Sequence, residues 1–281
     1  MNFQLTGEIT LPKDLSFKNT ELCIKKRLKI TILGSGTSQG VPVIACECDV
    51  CNSVDPLDKR LRSSIMVEDG ETVLIVDAGP DFRQQLLREK VKKVDAILIT
   101  HYHKDHIAGL DDVRSFNYLQ RKAMRVYASR RDQNRIKEEF SYAFADEKYP
   151  GVPDFDLVLL NEKPFTVGTI HVQPVKLKHM QLGVFGFRFG DFAYLTDVNF
   201  IPEESMQLLY GIRILVIDAL RKYKHISHFT LDEAIDVSRK LGAEKTYFTH
   251  VSHLMGKSTD INPFLPAGMQ LAYDGQIIEV N

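Results

Sequence analysis

The sequence predicts an α/β protein in which two mixed β-sheets pack face to face with helices on the outside. Three observations lead to this class. Short apolar runs rich in β-formers outnumber segments with helical spacing, the helical segments fall between pairs of such runs, and no Gly/Ser/Pro-rich linker interrupts the 281 residues. The pattern leaves other layered α/β arrangements open. We expect a single domain over residues 1–281, with residues 1–26 as an N-terminal extension.

The first half of the chain supplies strands bounded by turn residues. Two β-rich runs flank Asp69-Gly70, and this dipeptide is a strong signal for a hairpin. The short run DAILIT at 95–100 is typical of a buried strand. Weak alternation within residues 1–26 can add one or two edge strands. Strands are predicted at 27–33, 64–68, 72–76 and 95–100, and helices at 82–91, 110–121 and 132–145.

The second half repeats this order of elements without repeating the sequence. A helix is predicted from Thr230, which is suited to be its N-cap, with Glu233 three residues on and Gly242 at its end. A closing hairpin is predicted around Asp274-Gly275. The other predicted elements are strands at 157–160, 170–178, 184–189, 192–195, 213–217 and 245–249, and a helix at 202–209.

Composition narrows the classes of partner. The 36 basic and 37 acidic residues give a formal net charge of -1. This balance argues against nucleic-acid binding through bulk charge, although it leaves room for a local basic patch. No apolar run approaches the roughly 18–20 residues of a membrane helix, and the N-terminus lacks the order of charged and apolar regions in a secretory signal. We therefore expect a cytoplasmic protein whose partner is neither nucleic acid nor a membrane.

The segment HYHKDH at 101–106 follows directly on the apolar run DAILIT. It places three imidazoles and a carboxylate in six residues, and these ligands suit zinc, manganese or iron. One ion cannot easily use all four ligands from so short a loop. Assigning His101 and His103 to one ion, and Asp105 and His106 to another, relieves the geometry.

Three further residues of ligand type stand just past apolar runs. They are His179, Asp197 and His250. A sheet delivers side chains at its strand ends to a common rim. Each of the three alone is a weak signal, but together with the loop at 101–106 they complete two coordination shells.

The order of these motifs resembles the metallo-β-lactamase superfamily, and the resemblance covers residues 29–281. It implies an αββα four-layer sandwich and two catalytic ions. One ion would be held by His101, His103 and His179, and the other by Asp105, His106 and His250. Asp197 would bridge the two ions. The resemblance also implies that Asp77, in VDAGP, supports the metal loop from behind its ligands.

A loop with three cysteines, at 46–51, indicates a subfamily within this superfamily. Its CxCxxC spacing offers three thiolates, whereas structural zinc takes four ligands. Cys23 is one candidate for the fourth ligand, and the last His of THVSH, His253, is the better one. The pairing resembles the PhnP-type phosphodiesterases of phosphonate degradation, which act on phosphoribosyl cyclic phosphate. That resemblance implies a structural zinc ion held by Cys46, Cys48, Cys51 and His253.

A further histidine, His228, lies just before the helix that begins at Thr230. In the phosphodiesterase branch a His at this position lies near the metals. The resemblance implies that His228 donates a proton to the leaving alkoxide, while Asp197 serves catalysis as the bridging ligand.

The predicted function is that of a dinuclear phosphodiesterase. Its substrate would be a small phosphodiester, with cyclic ribose phosphates among the candidates, attacked by a hydroxide held between the ions. The catalytic ions would be zinc or manganese, with iron also suited, and one structural zinc would accompany them. The sequence leaves pairing into a homodimer open.

Other functions compete with this one. A tRNA 3′-processing endonuclease needs a basic, Gly/Pro-rich arm, whereas the basic segment at 118–135 has the pattern of helix, strand and helix. A thioester or lactone hydrolase is a second alternative. The pyrroloquinoline-quinone synthesis protein B group shares the fold and a cysteine loop. A metal-binding regulatory module without turnover is an alternative from another class.

Overall fold

The computed structural model describes residues 27–280. The predictions for residues 1–26, including the edge strands and any role of Cys23, lie outside this range. The strands are β1 (Leu28–Gly34), β2 (Ser64–Glu68), β3 (Val73–Val76), β4 (Ala96–Leu98), β5 (Met124–Ala128), β6 (Phe155–Leu159), β7 (Phe165–Val167), β8 (Ile170–His179), β9 (Leu182–Phe189), β10 (Phe192–Leu195), β11 (Ile214–Asp218), β12 (Lys245–Thr249), β13 (Met269–Leu271) and β14 (Ile277–Val280). The helices are α1 (Phe82–Arg88), α2 (Lys104–Ile107), α3 (Arg114–Gln120), α4 (Arg130–Glu139), α5 (Glu203–Leu209), α6 (Leu231–Leu241) and α7 (Ser258–Ile261).

The strands form two mixed seven-stranded sheets. The first has the order β14-β1-β2-β3-β4-β5-β6, and the second β13-β12-β11-β10-β9-β8-β7. One apolar cluster fills the space between them, with Ile32 and Leu74 from the first sheet meeting Phe187 and Val216 from the second. Two further clusters bury the outer faces of the sheets beneath helices, Phe82 of α1 on one side and Ile235 of α6 on the other. The predicted α/β class and αββα sandwich are thereby confirmed.

Local sequence explains two of these elements directly. β2 and β3 pair antiparallel around the predicted turn, where Gly70 has a φ of 89° that suits glycine. Helix α6 begins at the predicted capping box, in which the Thr230 side chain accepts from the Glu233 N–H while Glu233 accepts from the Thr230 N–H. Gly242 ends that helix in the left-handed conformation.

The predicted hairpin around Asp274-Gly275 is wrong. β13 pairs parallel with β12 in the second sheet, whereas β14 pairs antiparallel with β1 in the first. The Asp274 carboxylate accepts hydrogen bonds from the N–H and hydroxyl of Ser35 and from the Leu61 N–H. Asp274-Gly275 therefore carries the chain from one sheet to the other and is fixed by contacts far away in sequence.

Strand direction brings the candidate residues to one rim. β10, β11 and β12 are parallel neighbours in the second sheet, and β3 and β4 are parallel neighbours in the first. β8 runs in the same direction as β10, because each is antiparallel to β9. The carboxyl ends of these strands and the loop after β4 meet at one edge of the sandwich, where the ligand-type residues lie.

Candidate metal centre

Two groups of candidate ligands converge at this rim. Within each group the nitrogen and oxygen atoms all lie within 4.8 Å of one another. Asp197 belongs to both groups, as a bridging ligand must. The first group is His101, His103, His179 and Asp197, and the second is Asp105, His106, Asp197 and His250.

The hydrogen bonds around Thr100 fix the tautomer of His101. The Thr100 hydroxyl lies 2.8 Å from the Asp77 carboxylate and donates its single proton there. It must then accept from Nδ1 of His101, 3.0 Å away, which leaves Nε2 of His101 as the unprotonated nitrogen. That Nε2 lies 2.9 Å from Nδ1 of His103 and 3.7 Å from Oδ2 of Asp197. It therefore presents a lone pair to the middle of the first group.

Asp77 orients the second group. Its buried carboxylate accepts from Nδ1 of His106 at 2.7 Å and from the Thr100 N–H at 2.8 Å. Nε2 of His106 then faces Asp105 and Asp197 at 3.2 and 3.3 Å, but it has no hydrogen-bond partner among the described residues. A buried nitrogen without a partner is costly unless something binds it. Asp77, which the resemblance implies as a supporting residue, thus lies against a candidate metal ligand, and its support of the metal loop stays a prediction.

Two other ligands are held in comparable ways. His179 donates from Nδ1 to the Ser227 carbonyl at 2.7 Å, which leaves its Nε2 free to bind. Nδ1 of His250 lies 3.0 Å from Oδ1 of Asp197, yet neither ring nitrogen of His250 makes a hydrogen bond within the part of the chain that is described. Such close approaches without hydrogen-bond geometry are expected of atoms arranged around a common ion.

The backbone is strained at the same rim. Within residues 27–280, Asp77, Asp197 and His250 have φ values of 64°, 53° and 57°, in the left-handed region that favours glycine. Strain of this kind persists where the surrounding structure fixes a functional geometry.

The electrostatics of the rim favour bound cations. Burial would raise the pKa of Asp197, but His250 and His106 hold that pKa well below its usual range. Burial lowers the pKa of the first group's histidines, so His101, His103 and His179 remain in the neutral form that binds metals. Burial alone would lower the pKa of His106, yet Asp197, Asp105 and Asp77 raise it, which shows that these carboxylates favour positive charge between them. The unpartnered nitrogens and this donor set fit divalent ions.

A third group lies apart from the first two. Nδ1 of His253 is 3.3, 3.4 and 3.6 Å from the sulfur atoms of Cys46, Cys48 and Cys51. The Cys51 N–H lowers the pKa of the exposed Cys48 thiol to about 6, whereas burial raises the pKa of Cys51 to about 11. Three thiols around one imidazole are the donor set of a structural zinc site. The structure thus places His253, the preferred fourth ligand, beside the cysteines.

His228 lies beside both groups of candidate ligands at the rim. Its ring centroid is 4.6 Å from that of His179 in the first group and 4.7 Å from that of His250 in the second. Its Nδ1 lies 2.7 Å from Oδ2 of Asp218, a buried carboxylate at the end of β11. The sequence interpretation missed Asp218, although an acidic residue at the end of the apolar run ILVID carries the same signal as Asp197.

A family model described as "Beta-lactamase superfamily domain" matches residues 72–251. Among solved structures, one described as a new diphosphatase from the PhnP family is 42% identical, with a TM-score of 0.85, over 90% of this chain and 97% of that chain. The chain is a PhnP-like member of the metallo-β-lactamase superfamily. The predicted resemblance is confirmed, and the chain is a metal-dependent hydrolase whose fold implies divalent ions.

Two other similar proteins extend this comparison. The octanoyltransferase of Porphyromonas gingivalis is 37% identical over 251 residues, which are 88% of this chain and 51% of that protein. This PhnP-like chain thus spans about half the length of that curated relative. The Zn²⁺-bound pyrroloquinoline-quinone synthesis protein B of Methylobacterium extorquens has a TM-score of 0.73 and 20% identity over 89% of this chain and 99% of that chain, which shows the shared fold. Across residues 27–280, no helix combines the length and apolar character needed to cross a membrane.

Proposed function

We propose that this PhnP-like protein is a dinuclear phosphodiesterase that acts on a small phosphodiester. The observation that carries the proposal is the position of His228, which is in ring contact with a candidate ligand of each ion and is held by Asp218. Hydrolysis of a phosphodiester needs a place for metal-assisted attack and a proton for the departing oxygen. The two ligand groups would provide the first, and His228 would provide the second.

The two ligand groups would hold the catalytic ions, zinc or manganese, with iron also suited to the donors. When bound, a pair of divalent ions supplies activated water and offsets the charge that develops on the phosphate. Asp197 would hold the ions together, since its carboxylate belongs to both groups. Asp77 would keep the His106 ring turned toward the ions through the 2.7 Å contact with its Nδ1.

His228 would protonate the leaving oxygen. Burial would lower its pKa, but the Asp218 carboxylate raises that pKa to about 9, so the ring carries a proton at neutral pH. Because Nδ1 donates to Asp218, Nε2–H is the bond that remains for transfer. An alkoxide is a poor leaving group at neutral pH, and a general acid accelerates its departure by about 10²–10⁴-fold.

A small substrate is favoured over tRNA. The basic segment at 118–135 forms the end of α3, strand β5 of the first sheet and the start of α4, so it is regular secondary structure of the domain. A tRNA-processing relative would need an arm that extends from the domain. The proposed partner is therefore a small molecule, with cyclic ribose phosphates as the first candidates.

The cysteine group would hold a structural zinc ion. Its four donors come from the loop before β2 and from the segment after β12. Zinc bound there would join these two segments and stabilise the folded chain directly.

A second candidate reaction is the hydrolysis of a diphosphate bridge. It is favoured by the 42% identity to the protein described as a PhnP-family diphosphatase. Attack on phosphorus is common to both reactions, but phosphate is a better leaving group than an alkoxide. The diphosphate reaction would therefore depend less on His228.

A panel of substrates tests these assignments. Zinc- and manganese-loaded protein would be assayed on bis(p-nitrophenyl) phosphate, ribose cyclic phosphates, cyclic nucleotides, a nucleoside diphosphate, an octanoyl thioester and a lactone. We expect turnover of phosphodiesters, with a ribose cyclic phosphate the best. Turnover of the thioester or lactone alone would replace the proposal with an acyl hydrolase. Full metal loading with no turnover of any member would indicate a regulatory module.

A further inference from the structure

Arg131, at the start of helix α4, contacts two segments that adjoin residues of the first ligand group. On one side its guanidinium carbon lies 5.3 Å from the ring centroid of Tyr102. On the other side its Nη2 donates a 2.7 Å hydrogen bond to the Gly183 carbonyl. The first contact is with the loop after β4 in one sheet, and the second is with β9 in the other sheet. Arg131 therefore spans the seam between the sheets.

The Tyr102 contact leads to His103. Tyr102 precedes His103 in the chain, and the two rings meet edge to face with centroids 5.4 Å apart. His103 is half-buried, whereas His101 is fully buried. The surroundings of His103 thus restrain it less, and the Tyr102 ring supplies one of its packing contacts.

The Gly183 contact leads to His179. In the β8–β9 hairpin, Gly183 is opposite Lys178, and Leu182 is opposite His179. A hydrogen bond to the Gly183 carbonyl therefore fixes the hairpin one residue from the position that presents His179. The β8–β9 turn beyond it carries Met180, which has a positive φ of 55°.

A buried carboxylate fixes Arg131 itself. Asp132 is 1% exposed, and its Oδ1 lies 3.3 Å from Nη2 and 3.4 Å from Nε of Arg131. The other oxygen of Asp132 is bound by the Ser129 hydroxyl at the N-cap of α4. The planar guanidinium thus has a defined orientation, with one edge on Asp132 and Nη2 reaching on to Gly183.

We propose that Arg131 is a positioning residue that holds His103 and His179 in place for one of the two catalytic ions. The inference rests on the proposed dinuclear site. Arg131 reaches neither ion directly and acts through Tyr102 and the β8–β9 hairpin. It also gives a structural role to the basic stretch at 118–135, which the proposed reaction does not use.

The effect is selective for the first ion. Within residues 27–280, Arg131 forms no hydrogen bond or ion pair with Asp105, His106 or His250, whereas His106 has its own support from Asp77. Residues that orient metal ligands typically change metal affinity by about 10–100-fold when they are removed. Loss of Arg131 should therefore weaken the binding of one ion and leave the binding of the other unchanged.

Chelator competition on the manganese-loaded full chain tests the inference. Wild type and Arg131→Gln would be dialysed against graded EDTA, and the manganese per chain measured by elemental analysis together with the electron paramagnetic resonance spectrum. In Arg131→Gln we expect one manganese per chain to be released at an EDTA concentration at least about tenfold lower than in wild type. The spectrum should change from that of a coupled pair to that of a single ion.

Matched variants separate positioning from general damage. Arg135 also lies over the Tyr102 ring, at 5.4 Å, but it pairs with Glu138 on its own helix, so Arg135→Gln should retain both ions as wild type does. Arg131→Lys keeps the charge but lacks the fork that joins Asp132 to Gly183, and it should give an intermediate EDTA threshold. This milder variant decides the question if Arg131→Gln does not fold.

Two outcomes would overturn the role of Arg131. In the first, the Arg131 variants retain both ions as well as wild type does. In the second, the binding of both ions is weakened to the same extent. Failure of wild type to bind two manganese ions at the rim would instead contradict the dinuclear site itself. The two failures are therefore distinguishable.

Discussion

Nδ1 of His228 lies 2.7 Å from Oδ2 of Asp218, and the same Asp218 oxygen accepts the Val198 N–H at 3.0 Å. One carboxylate thereby orients the candidate acid and ties it to the segment that follows Asp197. The other oxygen, Oδ1, is buried without a hydrogen-bond partner in the described part of the chain. Within that part of the chain, His228 and the Val198 N–H are therefore the hydrogen-bond partners of the Asp218 carboxylate.

Asp218→Asn should alter the pH dependence of turnover. The raised pKa of His228 means that the acid is present at lower pH and is lost as pH rises through about 9. Without the Asp218 charge, burial would lower that pKa, and the alkaline limb of kcat should move down by about 1–3 pH units. A kcat–pH profile on a phosphodiester with an alkoxide leaving group measures this. Asp236→Asn, on the exposed face of α6, is the control and should leave the profile unchanged.

His228→Ala should discriminate between leaving groups. With an alkoxide leaving group we expect kcat to fall by about 10²-fold or more, because the proton donor is gone. With p-nitrophenolate the loss should be much smaller, and metal content should be unchanged. Equal losses on both substrates would mean that His228 binds the phosphate, and loss of metal would make it a ligand.

Asp197→Ala should abolish phosphodiester hydrolysis, because this residue belongs to both ligand groups. Wild type should contain close to three metal ions per chain, two at the rim and one at the cysteine group. The variant should lose metal from the rim and keep the cysteine-bound zinc, as measured by elemental analysis, with its circular dichroism preserved. A wild-type content of no more than one ion after metal supplementation would refute the dinuclear assignment.

Cys48→Ala should act on stability before activity. Loss of one thiolate removes the zinc, and with it a few kcal/mol of folding free energy, so the melting temperature should fall by about 5–10 °C. Zinc content and thermal melting measure the effect. Cys23→Ala is the matched cysteine control and should change neither. The assignment of the cysteine site fails if Cys48→Ala keeps both its zinc and its melting temperature.

Much of the site could be predicted because its chemistry is local in sequence. The loop at 101–106 carries four candidate ligands together. Strand β8 ends at His179, and strand β12 ends just before His250. The pattern of an apolar run followed by a ligand is enough to find them. Asp218 carries the same pattern, but it has no partner nearby in sequence, since His228 lies ten residues away beyond a loop.

Other features depend on contacts that the sequence does not display. The Asp274-Gly275 dipeptide is typical of a hairpin turn. Its Asp274 carboxylate, however, accepts hydrogen bonds from Ser35 and Leu61, more than 200 positions away. Asp77, Asp197 and His250 adopt left-handed backbone conformations, which the sequence does not indicate because none of these positions is a glycine. Arg131 appeared only as part of a basic segment, because its reach to Gly183 depends on how the two sheets meet.

Each sheet supplies only part of the rim. The loop at 101–106 belongs to the first sheet, whereas His179, Asp197 and His250 belong to the second. A cut between β6 and β7 would leave most of each sheet on a separate fragment, with β14 as the one strand of the first sheet carried by the C-terminal piece. Neither fragment could form a complete ion site, so restored metal binding would report that the two had reassociated. The two metal ions would thus hold the fragments together. The association of the fragments would become stronger as the affinity of the rim for the ions increases.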